Sequence, residues 1–233
     1  MNREICILVS YLKEILPFID HLSDLNTERK GKFIFYKGTL AEKRVLVIQT
    51  LIKEGKTISS LIKGASLVIS TGICGALVPY LHTGDIIIAE KVFLYKKTDS
   101  DKIANKSENQ AFQSLKIPAA SRVYERLKKK YEDKQFSIDK GLTVTSDFVL
   151  QNTDRKIAVN KKTSALSVDM EDFHRLSIAK ELGIPFLSIR AVFDELHEEI
   201  LPCKGVIHPS FKEKLIGTTK NLAIAVKAII LSS

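Results

Sequence analysis

Cysteine is scarce in this 233-residue chain: Cys6, Cys74 and Cys203 are an odd number at wide spacings. They build neither a disulfide framework nor a CxxC metal site, and Cys6 sits in an apolar run where a thiol serves as a small core residue. No apolar run approaches the ~18 residues of a membrane span. A signal-peptide layout is missing as well, because the apolar stretch after Glu4 is short and Lys13-Glu14 breaks the sequence beyond it. There is no internal repeat, low-complexity tract or linker. These absences read as a cytoplasmic protein with one domain over residues 1–233. Charge of one sign is in excess, with 36 basic against 27 acidic residues and a net +9. Such an excess admits a nucleic-acid or anionic-membrane surface. The lysines are scattered, however, and no stripe alternates arginine with aromatics, so the expectation is a solvated surface and no nucleic-acid partner.

What is present is a packed α/β chain. Hydrophobic residues make up 45% of it; a core of this size buries roughly 70% of the unfolded surface, which excludes disorder and makes staples unnecessary. Buried strands are expected at residues 5–10, 66–71, 85–94, 141–145, 165–168 and 185–190, with a hairpin over 32–40 and 44–51 turned at Ala41-Glu42-Lys43. Helices are expected at 13–25 (Ile15, Leu16, Ile19 and Leu22 on one face), 57–63, 121–131, 172–182 and 212–231, and a loop at 102–118. The alternation implies a three-layer α/β fold with a central mixed sheet flanked by helices. Ligands gather at the carboxyl ends of such strands, where small or polar residues follow: 10–14, 71–75, 145–150, 169–171 and 190–195.

Each motif has an ordinary reading beside a functional one. Gly55-Lys56-Thr57 lacks the upstream glycine of a phosphate-binding loop, since position 50 is Thr50. The run STGICGAL (residues 70–77) is a strand ending in a tight small-residue turn that lets a backbone approach a ligand; Cys74 within it has no base nearby in sequence. Val168-Asp169-Met170-Glu171-Asp172 places three acids at a strand-to-helix junction, where Asp172 and Asp169 read as helix caps and Glu171 as a hydrogen-bonding group for sugar hydroxyls. Asp194, just beyond a buried strand, is placed to act as a general acid. Glu195, His197, Glu198 and Glu199 read as solvated surface, their spacing fitting no helical metal-ligand pair.

In order along nearly the whole chain, the segments LVSYLKE (8–14), STGICGAL (70–77), GDIIIA (84–89), VTSDFVL (144–150), SVDMED (167–172) and PFLSIRAVFDE (185–195) resemble the purine nucleoside phosphorylase/uridine phosphorylase superfamily. The likeness is strongest on the side of the methylthioadenosine/S-adenosylhomocysteine nucleosidases. That resemblance implies cleavage of an N-glycosidic bond without metal or organic cofactor, in a homodimer or larger assembly. It maps Asp194 to the acid that protonates purine N7, in a pocket made partly apolar by Phe193 and Val192. It maps Glu14 to the base that activates water, Arg190 to the group that places the water, Glu171 to the ribose hydroxyls and Met170 to the sugar face. Phe148, Val149 and Leu150 would cradle the base, with Gly72 and Ile73 also lining the substrate site.

Phosphorylases of this superfamily bind phosphate with arginines and a hydroxyl. Residues 10–14 contain no arginine, Ser70 stands where a second one is expected, and Ile73 replaces the hydroxyl residue. A buried dianion without partners is strongly unfavourable, so water is the expected nucleophile and adenine the expected product. Phosphate-dependent phosphorolysis and a non-catalytic nucleoside binder of the same fold are the alternatives. The runs 162–172 and RAVFDE with Ile200-Leu201-Pro202 resemble the hopanoid-associated branch more closely. That branch implies a lipid-tailed adenosyl substrate and weak association with a membrane surface, which the +9 charge would favour.

Overall fold

The computed structural model describes residues 4–50, 55–96, 113–131, 136–198 and 209–232. Strand β1 (Ile5–Val9) is buried along its whole length, as its unbroken apolar run requires, and lies parallel to both β4 (Lys43–Gln49) and β5 (Leu67–Ala76). From β4 the sheet continues antiparallel through β3 (Phe33–Leu40) to an edge strand, β2 (Ser23–Lys30). The expected hairpin is β3–β4, and its two turn residues Ala41 and Glu42 both have positive φ, the geometry of a tight hairpin turn.

On its other side β5 joins β10 (Phe186–Asp194) in parallel. β10 then pairs with β6 (Ile86–Tyr95), β6 with β8 (Ile138–Ser146), β8 with β9 (Ser167–Asp169), and β9 returns to β5. The mixed sheet therefore closes on itself at one end and opens into an arm at the other. A short strand β7 (Ser114–Lys116) borders β6. Helix α6 (Pro209–Ser232) packs on β10 and β5 and against α1 (Leu16–Ile19), while α2 (Gly55–Ile62) packs with α5 (Asp172–Glu181). Helix α3 (Ala120–Lys130) covers β8 and β6.

Several sequence expectations are corrected here. The helix expected at 13–25 breaks into a 3₁₀ turn (Leu12–Glu14), the four-residue α1 and the start of β2. Pro17 in the first turn of α1 separates that helix from the 3₁₀ turn before it, because it lacks an N–H and its ring obstructs the carbonyl four residues back. Ile15, Ile19 and Leu22 are buried as expected, but Leu16 is 40% exposed and Phe18 takes its place inside. β2 escapes the pattern because an edge strand of sequence SDLNTERK has no buried face. So does α4 (Thr153–Thr163), a polar helix capped by the Asn152 side chain on the Arg155 N–H. β7 falls in the stretch expected to be loop; residues 102–112 of that stretch lie outside the described residues. The turn expected after Thr71 is instead a continuation of β5 to Ala76. Finally, α6 contains 22 residues, Phe211–Ser232, long and apolar enough to cross a membrane, against the expectation of no such run. Its face of Leu222, Val226, Ile229 and Ile230 is buried in the protein core.

Candidate active site

The site is built on the pairing of β5 with β10. Gly72 sits opposite Arg190 and Gly75 opposite Asp194, although the glycines are three residues apart and their partners four. A one-residue irregularity between Val192 and Asp194 absorbs the difference and re-aims Asp194. Both glycines are required by close approach. A Cβ on Gly72, whose φ is +148°, would lie 2.5 Å from Glu14 Oε2 and 2.8 Å from Arg190 Nη1; one on Gly75 would lie 2.5 Å from Asp194 Oδ2. The small-residue run expected to admit a ligand thus admits the protein's own functional side chains.

Those side chains line one cavity of about 250 Å³, near the lower end of the range for small-molecule sites. Glu14, Arg190, Glu171, Met170, Asp194, Ile73 and the segment Phe148, Val149 and Leu150 are all on its wall. Gly72 lies behind Glu14 and Arg190. The wall also holds Gly75, Cys74 and Asp169, which lie in strand ends the sequence pointed to without assigning them a part in binding, and Val168, which it did not; burial keeps the Cys74 thiol protonated. The Tyr95 and Phe148 rings are 5.7 Å apart, and Ser146 Oγ donates to the Phe148 carbonyl (2.7 Å) and faces its N–H (3.3 Å).

At one end of the cavity charges are packed densely. The buried Arg190 guanidinium donates to both oxygens of Asp172 and meets Glu171 Oε2 at 3.0 Å. Asp172 also accepts from Ser70 Oγ (2.6 Å) and from Ser188 Oγ. Burial works to raise its carboxyl, but Arg190 and the two serines outweigh it and hold the group below the usual carboxylate range. Asp172 is therefore no exposed cap, as its place at the start of α5 had implied. Asp169 does cap: its Oδ1 accepts from the N–H groups of Glu171 (2.7 Å) and Asp172 (2.8 Å). Its Oδ2 has no hydrogen-bond partner among the described residues, and burial with the Asp172 charge pushes the carboxyl upward. Arg175, also fully buried, donates to the Leu8 carbonyl and to Ser70, Ser10 and Thr50. Glu14 comes from the 3₁₀ turn after β1. Burial pushes its carboxyl up to about 7, opposed by Arg190 and by the Ile73 N–H it accepts.

At the other end, among the described residues, Asp194 has one charged neighbour within ion-pair distance, Lys156 of α4, whose Nζ is 2.7 Å from Asp194 Oδ2, although no hydrogen bond forms there. Phe193 does not help to form the Asp194 pocket as expected; its ring packs edge-on against Phe211 at 4.8 Å. Beyond it, Glu195 accepts from the Thr83 N–H, and the exposed Glu198 pairs with the half-buried Lys214, in keeping with solvated roles. Glu199 lies outside the described residues.

A mixed sheet closed at one end, with acids and an arginine gathered at its strand ends around a nucleoside-sized cavity, defines a nucleoside phosphorylase-like α/β protein. The sequence model described as Phosphorylase superfamily matches residues 4–231, and the chain belongs to that family. It is 26% identical over 224 residues to the 5′-methylthioadenosine/S-adenosylhomocysteine nucleosidase of Baumannia cicadellinicola, covering 94% of each chain. With the enzyme of that name from Staphylococcus haemolyticus it shares 25% over 224 residues, 94% of this chain and 95% of the other. Among solved structures, the Helicobacter pylori nucleosidase of that name superposes with a TM-score of 0.81 at 20% identity, over 100% of this chain and 99% of the other. Futalosine hydrolase of the same organism gives 0.81 at 20% identity, with the same coverage.

Proposed function

We propose that the protein is a nucleosidase that hydrolyses the N-glycosidic bond of an adenine nucleoside of the 5′-methylthioadenosine/S-adenosylhomocysteine kind, releasing adenine. The observation that carries this reading is the separation of one acid, Asp194, from the Glu14–Arg190–Glu171 group across a single cavity. A purine leaves as a neutral base only when protonated, and Asp194 at the base end supplies that proton. The sugar passes through an oxocarbenium-like cation, which the carboxylates of Glu171 and Glu14 stabilise electrostatically. Glu171, held by Arg190, binds the ribose hydroxyls, and Met170 packs on the sugar. Glu14, with a carboxyl poised near neutrality, accepts the proton of the attacking water. With Phe148 engaged by Ser146, backbone hydrogen bonds to the base fall to Val149 and Leu150.

Water is favoured over phosphate by what surrounds the arginines. Arg190 is taken up by Asp172 and Glu171, Arg175 by three hydroxyls and a carbonyl, and Ser70 Oγ donates to Asp172. Glu14 and Glu171 would repel a phosphate dianion. The futalosine hydrolase likeness makes a different 5′ substituent the second reading. A hopanoid tail rests on the local sequence likeness alone, and in a cavity of about 250 Å³ it would have to extend outside.

The test is base release from methylthioadenosine, S-adenosylhomocysteine, adenosine, inosine, futalosine and a long-tailed adenosyl compound, each with and without phosphate. Phosphate-independent adenine release is expected. Turnover only with phosphate would overturn the hydrolytic reading, and binding without turnover across the panel would make the protein a nucleoside binder.

A further inference from the structure

Lys156 is completely buried in a helix whose other charged residues, Asp154, Arg155, Lys161 and Lys162, are exposed. Its Nζ donates to the carbonyls of Glu195 (2.6 Å) and Glu198 (3.1 Å), in the turn that follows β10, and stands 2.7 Å from Asp194 Oδ2. The two carbonyls hold the ammonium within ion-pair distance of the acid, although Oδ2 accepts no hydrogen bond from it in this geometry. A neutral donor would tether those carbonyls without the desolvation cost of a buried charge. The charge has a use only if its neighbour becomes an anion. Asp194 Oδ2 also lies close against Gly75, where no Cβ fits.

We propose that Lys156 is the positioning residue of the general acid, holding the Asp194 carboxyl in place and stabilising the carboxylate it becomes. The inference rests on the nucleosidase reading. With Oδ2 facing the ammonium, the proton to be donated sits on Oδ1. As the C1′–N9 bond breaks, its electron pair leaves with the purine and the Asp194 proton passes to N7. Water bonds to C1′ and yields its proton to Glu14. Lys156 keeps all three of its protons throughout, and the pair changes from ammonium with neutral acid to ammonium with carboxylate. An opposite charge beside the nascent anion lowers the energy of that change.

A leaving group that needs no proton separates this role from a structural one. Lys156→Met should lower kcat on methylthioadenosine by about 10²-fold, with KM changed less than about threefold. On 4-nitrophenyl β-D-ribofuranoside, which departs as a stable phenolate, the same variant should lose less than about threefold. Lys156→Arg should recover at least about tenfold of the loss, because the charge is restored. In an Asp194→Asn background Lys156→Met should cost less than about threefold more, since the group it serves is gone. Equal losses on both substrates, or full additivity with Asp194→Asn, would overturn the proposal and leave Lys156 a structural tether. Should the methionine variant fail to fold, the same split between substrates is read from Lys156→Arg against wild type. A wild-type enzyme silent on every purine nucleoside without phosphate would instead overturn the nucleosidase reading beneath it.

Discussion

The two ends of the cavity are built differently. Around the sugar-facing end, Arg190 acts on the carboxyls of Glu14, Asp169 and Asp172 together, and the Glu171 charge works to raise those of Glu14 and Asp169. At the base-facing end one carboxyl meets one ammonium in a local pair. A network spreads a perturbation and protects geometry; a pair concentrates a single proton where it is used. The contrast assigns stability, pH response and activation of the water to the first end, and protonation of the leaving base to the second.

The sharpest way to break this division is Asp194→Asn. The amide keeps the shape and loses the proton, so kcat should fall by about 10²- to 10⁴-fold while nucleoside affinity, read by calorimetric titration, and the melting temperature stay near wild type. A loss of binding equal to the loss of rate would place Asp194 in substrate recognition instead. Asp172→Ala attacks the other end. It leaves Arg190 without its two-point partner in a fully buried site and should cost about 3–5 kcal/mol of stability, measured by chemical denaturation. If stability hardly moves, the arginine has found Asp169 or Glu171, and the network is more redundant than its distances imply.

The sugar-facing end was legible as a set of residue types and illegible as a network. Glu14 and Glu171 stand at strand ends, where the ligand-binding rule for open α/β sheets leads; Arg190 is expected at one too, but β10 runs through it to Asp194. Asp172 reads as a cap because it begins a helix; its true partner, Arg190, is 18 residues away and becomes visible only when the strands are assembled into the sheet. Lys156 is hidden for a related reason. It lies in a polar helix with a weak apolar stripe, and nothing in TDRKIAVNKKT distinguishes it from the exposed Lys161 and Lys162. The fold fared likewise: long apolar strands were located from their runs, whereas the exposed edge strand β2 and the helix interrupted ahead of Pro17 depend on context that periodicity does not carry.

Gly72→Ala tests whether the glycines serve the protein's own side chains. The new methyl would press on Glu14 Oε2 and Arg190 Nη1 together, in a backbone conformation unfavourable to alanine. Displacing both by a few tenths of an ångström to one ångström should lower kcat about ten- to a hundredfold. The bound base should be unaffected, so affinity for free adenine is the control. A matched Gly75→Ala variant displaces only Asp194, and its loss should mirror that of Asp194→Asn on a smaller scale.

The smallest effect concerns protons at Glu14. Its carboxyl titrates near 7 in the folded chain against 4.5 when unfolded, so between those values the folded state binds the extra proton. Stability therefore falls as pH rises through this window, and the contribution of Glu14 is least favourable above about pH 7. Catalysis runs the other way, because only the carboxylate can take a proton from water; kcat/KM should rise with an apparent pKa near 7. Glu14→Gln uncouples the two. It should abolish that limb of the rate profile and gain about 1–2 kcal/mol of stability at pH 8 relative to its effect at pH 5, the open cavity screening part of the full shift. A stability gain independent of pH would mean that the substituted amide merely packs better than the acid. A pH-dependent gain would show the sugar-facing end holding its base in a state the fold resists and the reaction requires.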